Sequence, residues 1–525
     1  MQPGIKTILR GIQTSLLCFL FGSIYVACSS PALPQPTSSS QSTLPAPTTT
    51  SAVLATPTAS LIPTPTESAP DDSLPQYKLN VELNYPLHQV AVEETITYTN
   101  RTNTPLEDIV LMIEPNRYEG TFHLNNFVVN GKSPSTAPDI QTNQMHLALS
   151  QPLPPNQKIY LTISYELNLP RPIPNPTTRP VPFGWTERQT NLVDWYPFIP
   201  PYAEGKGWLA HQPGYFGEHL VYETSNFDVT IKNKGKETLH APTTVSDNGE
   251  TQPGQLTIAA SAPALQNGNE IHYVLPKART FAWSVSHAYL VQTQMVGDIL
   301  VIGYAFPVHA QAGEAALKTT AQSLDLFQKL FSPYPHATLS VVEADFLDGM
   351  EYDGLYFLSN GFYNLYQGNP AEYLIAIAAH ETSHQWWFGL IGNDQAEQPW
   401  LDESFATYSE KLFYEYTYPE AQTWWWTYRV DFFKPDGFIN GSIYSFSNNT
   451  SPYESYRNAV YLNGAKFLED LRKAMGDDAF FHFLKVYVST YQYKIATTKD
   501  FFLLLKQNSN SNFDSIINRY FDATQ

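Results

Sequence analysis

Cysteine is almost absent from this chain: among 525 residues only Cys18 and Cys28 are cysteines. Both lie near the N-terminus, so no disulfide framework holds the rest of the chain together. Basic residues are scarce too, with 30 Lys and Arg against 49 Asp and Glu, a formal net charge of −19. Such a balance offers no excess of cations to displace counterions from a phosphate backbone, which excludes nucleic acid as an expected partner. No Gly-rich phosphate loop, nucleophilic-triad motif or internal repeat is found. The N-terminal apolar stretch, residues 16–27, is too short to span a bilayer comfortably.

What is present falls into four parts. Lys6 and Arg10 precede the apolar stretch as a positive n-region, which predicts a signal peptide over residues 1–27. It ends in Tyr25-Val26-Ala27-Cys28-Ser29-Ser30, which resembles the lipobox of bacterial lipoproteins, with Tyr25 where Leu is usual. Cys28 is the expected lipidation site, and the alternative is a plain secretory signal cleaved near Ala27. An exported protein, lipid-anchored at the cell surface or otherwise secreted, is expected. Residues 28–76 are rich in Pro, Ser and Thr and cannot bury enough apolar surface to offset chain entropy, so they read as a disordered spacer.

Period-two alternation begins near Tyr77, as in Leu79-Val81-Leu83 and Ile159-Leu161-Ile163-Tyr165-Leu167. It predicts an all-β domain over 77–287, with the Pro-rich segment 170–182 as a loop inside it. Aromatic residues make up 14% of the chain and suit a large β-rich core. Beyond residue 288 the pattern turns helical. Residues 312–331 have helical spacing, and three short helices are expected near 465–475, 479–488 and 500–507. Gly476 is placed to stop the first, and Thr497 with Asp500 to start the third.

The chemistry is concentrated at His380-Glu381-Thr382-Ser383-His384. Residues 371–388 read as a helix capped by Asn369-Pro370. Two histidines four apart on a helix stand one above the other and can reach one ion, with Glu381 beside them. Catalytic zinc takes three protein ligands and leaves a position open. Glu403, at the start of a second helix after Pro399, could close a two-His, one-Glu site. A His-acid-x-x-His pattern is expected by chance roughly 0.03 times in a chain of this composition, so two histidines on a core helix are the weaker reading.

These residues resemble the aminopeptidase N family of zinc peptidases, a branch of the gluzincins. Its motif, H-E-x-x-H then eighteen residues then E, is met in full, along with Gln385-Trp386-Trp387 and Trp400-Leu401-Asp402-Glu403. The resemblance implies a multi-domain fold: an N-terminal β-sandwich-like domain, then a thermolysin-like α+β catalytic domain over 288–525. It implies one Zn2+ per chain held by His380, His384 and Glu403, with Glu381 as general base. Asp348-Gly349-Met350-Glu351-Tyr352 stands where the family has G-A-M-E-N. Glu351 is thereby the expected anchor for a substrate's free amino group, on an exposed strand edge where Gly349 would permit close backbone approach. Tyr461, before Leu462-Asn463-Gly464, takes the family's oxyanion-donor position, with Tyr453 and Tyr456 as nearby competitors.

The implied activity is hydrolysis of peptides, foremost by an aminopeptidase acting outside the cytoplasm, with no required protein partner evident. An endopeptidase or other zinc hydrolase is one alternative, and a non-catalytic peptide-binding module is another. A pure binder has no need of Glu381. Longer family members carry a C-terminal helical domain over the cleft, and the 64 residues after Tyr461 are too few for one. A cleft that is open, or covered by another subunit, is therefore expected. Trp424-Trp425-Trp426 is expected on a helix buried against the core.

Overall fold

The computed structural model of the protein describes residues 71–172, 181–509 and 511–523. The expected signal segment, Cys28, nearly all of the spacer and most of the Pro-rich loop lie outside the described residues. Strand Gln76–Asn84 buries Tyr77, Leu79, Val81 and Leu83 and exposes Lys78, Asn80 and Glu82, the split that a pleated strand with one apolar face imposes. It pairs antiparallel with Gln89–Thr99 and parallel with Ser225–Asn233 at the centre of a seven-stranded sheet. A five-stranded sheet, a three-stranded sheet and a two-stranded sheet complete the described β-rich half. Leu79, Ile163 and Val229 of the first sheet share one core with Ile258 and Trp283 of the second and Leu111 and Leu147 of the third. That is sheet-on-sheet packing.

A six-stranded sheet opens the catalytic half, in the order Gly249–Glu250, Leu290–Val296, Ile299–Ala305, Thr338–Ala344, Leu355–Ser359, Gly349–Tyr352. Helix α1 (Ala310–Leu330) joins two of its parallel strands, Ile299–Ala305 and Thr338–Ala344. Every residue of Thr338–Ala344 is buried, as expected of a parallel strand covered on both faces. The edge strand Gly349–Tyr352 runs antiparallel to its neighbour. Helix α2 (Asn360–Leu365) is capped by the Ser359 hydroxyl, and the two motif helices follow as α3 (Tyr373–Ser383) and α4 (Trp400–Thr417).

Helix α3 is shorter than the sequence predicts. The Asn369 side chain accepts from the Ala371 N–H, and the Glu372 carboxylate accepts from the Gln367 and Asn369 N–H groups. Those side chains stabilise the preceding loop instead of extending the helix, which starts at Tyr373. The C-terminal helices are Gly464–Met475, Asp477–Tyr491 and Thr498–Asn508, and a seven-residue helix, Asp514–Tyr520, is additional. Gly476 follows the first at φ 80°, and Thr497 and Asp500 form a reciprocal capping box on the third.

One buried cation ties the two halves together. The Arg279 guanidinium donates to the carbonyls of Tyr222, Phe388, Gly389, Leu390 and Lys494, at 2.7–3.3 Å. A Cβ at Gly392 would sit 2.5 Å from its central carbon, so that glycine makes room for it.

Candidate metal centre and its surroundings

Helix α3 ends so that His380 lies in its last turn and His384 at its C-cap. Glu403 sits in the first turn of α4 with Asp402, where carboxylates are favoured by the helix dipole. His380 Nε2 is 3.2 Å and His384 Nε2 3.7 Å from Glu403 Oε2. Zinc bonds of about 2.0–2.2 Å in a tetrahedron put ligand atoms roughly 3.3–3.6 Å apart. His380, His384 and Glu403 are all buried, and their three ligand atoms lie within 4.8 Å of one another. The donor set therefore fits a single zinc ion.

A second layer of side chains orients these ligands. His380 Nδ1 is 2.9 Å from Glu410 Oε1. Glu410 also accepts from Trp425 Nε1 at 2.8 Å and from Arg429 at 2.7 and 2.9 Å. His384 Nδ1 is 2.7 Å from Asp402 Oδ1 and 3.0 Å from the Trp387 carbonyl, and Gln395 holds the other Asp402 oxygen at 2.8 Å. With both Nδ1 atoms engaged, each imidazole presents Nε2 to the centre. None of Asp402, Glu410, Trp425 or Arg429 follows from the zinc motif. Glu410 could have been found as the acid seven residues, two helical turns, beyond Glu403. Trp425 is fully buried in this role, while Trp424 and Trp426 are half-buried.

The groups on the reacting side are held differently. Glu381 is buried, yet its Oε2 has no hydrogen-bond partner, and the same is true of Glu351 Oε1. Glu351 is 3% exposed, so the expected exposed strand edge is instead covered. It brings a carboxylate oxygen within 4.8 Å of ligand atoms of His384 and Asp402. A Cβ on Gly349 would lie 2.0 Å from Glu381 Oε1, so the Glu381 carboxylate occupies the space over that glycine. Tyr461 lies in a π-helical turn, Arg457–Asn463, and its hydroxyl donates to Glu403 Oε1 at 2.5 Å. Gly464 allows this approach: a Cβ there would be 1.9 Å from Ser404 Oγ, beside Glu403. Tyr456 is buried and stacks edge-on to Tyr461, and Tyr453 is exposed.

Part of the β-rich half lies close to the site. A β-domain segment packs against the catalytic half: Phe216 meets Tyr456 at 5.1 Å between ring centroids, and Tyr444 donates to the Gln212 carbonyl at 2.6 Å. At Gly217 a Cβ would be 2.6 Å from Ile443. This wall leans on Tyr456, which in turn flanks Tyr461.

Burial and a surplus of carboxylates set the protonation of the metal-free site. Burial alone would lower His380, but hydrogen bonds to Glu403 and Glu410 outweigh it and raise it to about 9. Burial likewise opposes protonation of His384, and the charges of Glu351 and Asp402 raise it overall. Burial pushes Glu403 up, yet the His380 hydrogen bond and the two histidines bring it down. Glu381 is raised, first by burial and then by Glu351 and Glu403, against the lowering effect of the histidines. Histidines drawn toward the protonated form by neighbouring carboxylates mark a site where a bound divalent cation would take the place of those protons.

Residues 315–520 match the profile of the Peptidase family M1 domain. That segment, about two fifths of the chain, is similar to peptidase family M1. Aminopeptidase M1-B of Oryza sativa subsp. japonica is 29% identical over 212 residues, covering 38% of this chain and 24% of that protein. Aminopeptidase N of Lactobacillus delbrueckii subsp. lactis is 22% identical over 284 residues, covering 51% of this chain and 34% of that protein. The chain thus spans about a quarter to a third of the length of these curated M1 relatives. Among solved structures, the M1 zinc metallopeptidase of Deinococcus radiodurans superposes with a TM-score of 0.58 at 17% identity, over 86% of this chain and 94% of that one. The two share the fold, a sheet-rich half followed by a helix-rich M1 half.

Proposed function

We propose that this chain is a zinc-dependent aminopeptidase. One observation carries the reading. The three-ligand set sits beside two buried carboxylates, Glu381 and Glu351, each with an oxygen that has no hydrogen-bond partner. Each unpaired oxygen is acceptor capacity beside the ligand set that water or a substrate amine can fill. Zinc, when bound, acts as a Lewis acid that polarises a carbonyl and makes water more acidic.

The chain's own groups supply the remaining work. Glu381 Oε2 accepts the proton of an attacking water and returns it to the departing amine. The Tyr461 hydroxyl, now donating to Glu403, turns to donate to the oxyanion while remaining neutral. Glu351 pairs with the ammonium of a substrate N-terminus, which fixes the scissile bond one residue away and favours removal of single residues. A related M1 metallopeptidase variant has been captured with a Tyr-Ser-Ala substrate, which supports a peptide as the ligand class.

Matched peptides with free and acetylated N-termini, with and without a chelator, test this reading. Chelator-sensitive cleavage of the free form alone is expected. Equal cleavage of both forms would assign an endopeptidase, and no chelator-sensitive cleavage would assign a binder. Export with lipidation of Cys28 is proposed on the strength of the N-terminal sequence. Under it, Cys28→Ala moves the protein from the membrane fraction to the medium, and unchanged partition refutes the anchor.

A further inference from the structure

We propose that Arg457 binds a carboxylate of the peptide beyond the scissile bond, a specificity role that rests on the aminopeptidase reading above. Among the described residues, seven arginines pair with a carboxylate, and Arg279 is wrapped by carbonyls. Arg457 has neither. Its guanidinium donates to the amide oxygen of the adjacent Asn458, at 2.9 and 3.2 Å, and lies 4.1 Å from the Phe433 ring centroid. The chain holds 49 acidic residues against 30 basic ones, so anionic partners are not scarce. Arg457 is half-buried, and burial, with the charge of Arg429 added, pushes its pKa down against the pull of Tyr453 and Glu454. A partly desolvated cation of this kind gains from an anion that can form charge-assisted hydrogen bonds with it.

The position of Arg457 lies on the substrate's path. It opens the π-helical turn Arg457–Asn463, and Tyr461 follows four residues later. At that spacing the two side chains share a face, so the arginine stands one turn away from the hydroxyl that donates to Glu403. Tyr373 and Arg429 are its electrostatic neighbours. Tyr373 is the first residue of α3, seven before His380 and on the same face of that helix. The order of groups along the strand Gly349–Tyr352 gives the direction of a bound peptide. Its amine sits at Glu351, and the scissile bond follows at Glu381, whose carboxylate lies over Gly349. The residues after that bond run on toward Asp348. Asp348 is itself an electrostatic neighbour of Arg429, so the departing part of the peptide heads for the corner that holds Arg457. A planar guanidinium meets a carboxylate through two parallel hydrogen bonds. That carboxylate has two sources: the C-terminus of a short peptide, or an acidic side chain of a longer one.

The experiment measures kcat and KM of the zinc-loaded full chain on peptides matched in all but one group. One pair is a tripeptide with a free or an amidated C-terminus, and the other is a longer amidated peptide with Glu or Gln after the scissile bond. Wild type should prefer the carboxylate member of at least one pair by about 10- to 100-fold in kcat/KM, expressed mainly in KM. A preference in the first pair assigns the terminal carboxylate, and one in the second assigns the acidic side chain. Arg457→Met keeps an apolar stem over Phe433 and removes the charge, so it should bring the ratio close to one. Arg457→Gln, polar in the same space, is the second variant and should do the same. Each ratio is read within one protein, so a general loss of activity does not imitate the result. Equal use of both members by wild type would overturn the proposal, and so would a preference that survives in the variants. If wild type cut no peptide, the aminopeptidase reading would fail by itself. Calorimetric affinities of the same pairs for the Glu381→Gln chain, with and without Arg457→Met, would still decide the role of Arg457, and equal affinity for both members would refute it.

Discussion

The two sides of the metal centre are built on opposite rules. On the ligand side, each histidine Nδ1 is engaged: His380 by Glu410, itself fixed by Arg429 and Trp425, and His384 by the Trp387 carbonyl, with Asp402 Oδ1 2.7 Å away. On the reacting side, Glu381 Oε2 and Glu351 Oε1 are buried without partners. Satisfied hydrogen bonds give a fixed geometry for binding an ion, and unsatisfied ones leave capacity that only water or substrate can fill. The contrast separates affinity for metal from turnover, and substitutions on the two sides should move different observables.

The largest effect is expected from Glu381→Gln. Turnover should fall by about 100- to 10,000-fold with zinc content intact by metal analysis, and a loss of zinc would erase the contrast. Tyr461→Phe comes next, with kcat lower by about 100- to 1,000-fold and peptide affinity little changed, read by steady-state kinetics. Glu410→Gln sharpens the comparison from the other side. It should weaken zinc binding by about 10- to 100-fold in a competition titration while the zinc-saturated enzyme keeps near-normal kcat.

The smallest effect is a matter of pH. His380 is raised to about 9 in the metal-free site, so below that pH it carries a proton that zinc must expel. Zinc affinity should therefore decline as pH falls below about 9, by about tenfold per unit for each proton displaced. Glu410→Gln removes one of the interactions that raise His380 and should flatten that slope. A slope identical in the two proteins would assign the displaced proton to another group.

The cluster of His380, His384 and Glu403 was legible in the sequence because it obeys local rules: i, i+4 spacing brings the histidines together, and a turn of chain returns Glu403 to them. The alternation that marks Gln76–Asn84 was readable for the same reason. What escaped depends on contacts between segments that share no period. Arg429 and Trp425 reach Glu410 from π-helical turns, where neither helical nor strand spacing applies. Asn369 and Glu372 carry helix-start signals, yet the nearby loop uses their hydrogen-bonding capacity first. Gly349 was readable as a place of close approach, but not that the approaching group is Glu381, since the partner lies on another element.

The Arg279 clasp has a consequence for how the molecule comes into being. Its acceptors include the Lys494 carbonyl, 215 residues further along the chain, and carbonyls just after the zinc helix. During synthesis the sheet-rich half emerges with this guanidinium still lacking its seat, and only a nearly finished polypeptide can provide one. Until those carbonyls arrive the guanidinium stays hydrated at the surface of the sheet-rich half, and its burial comes only with the docking that also supplies its hydrogen bonds.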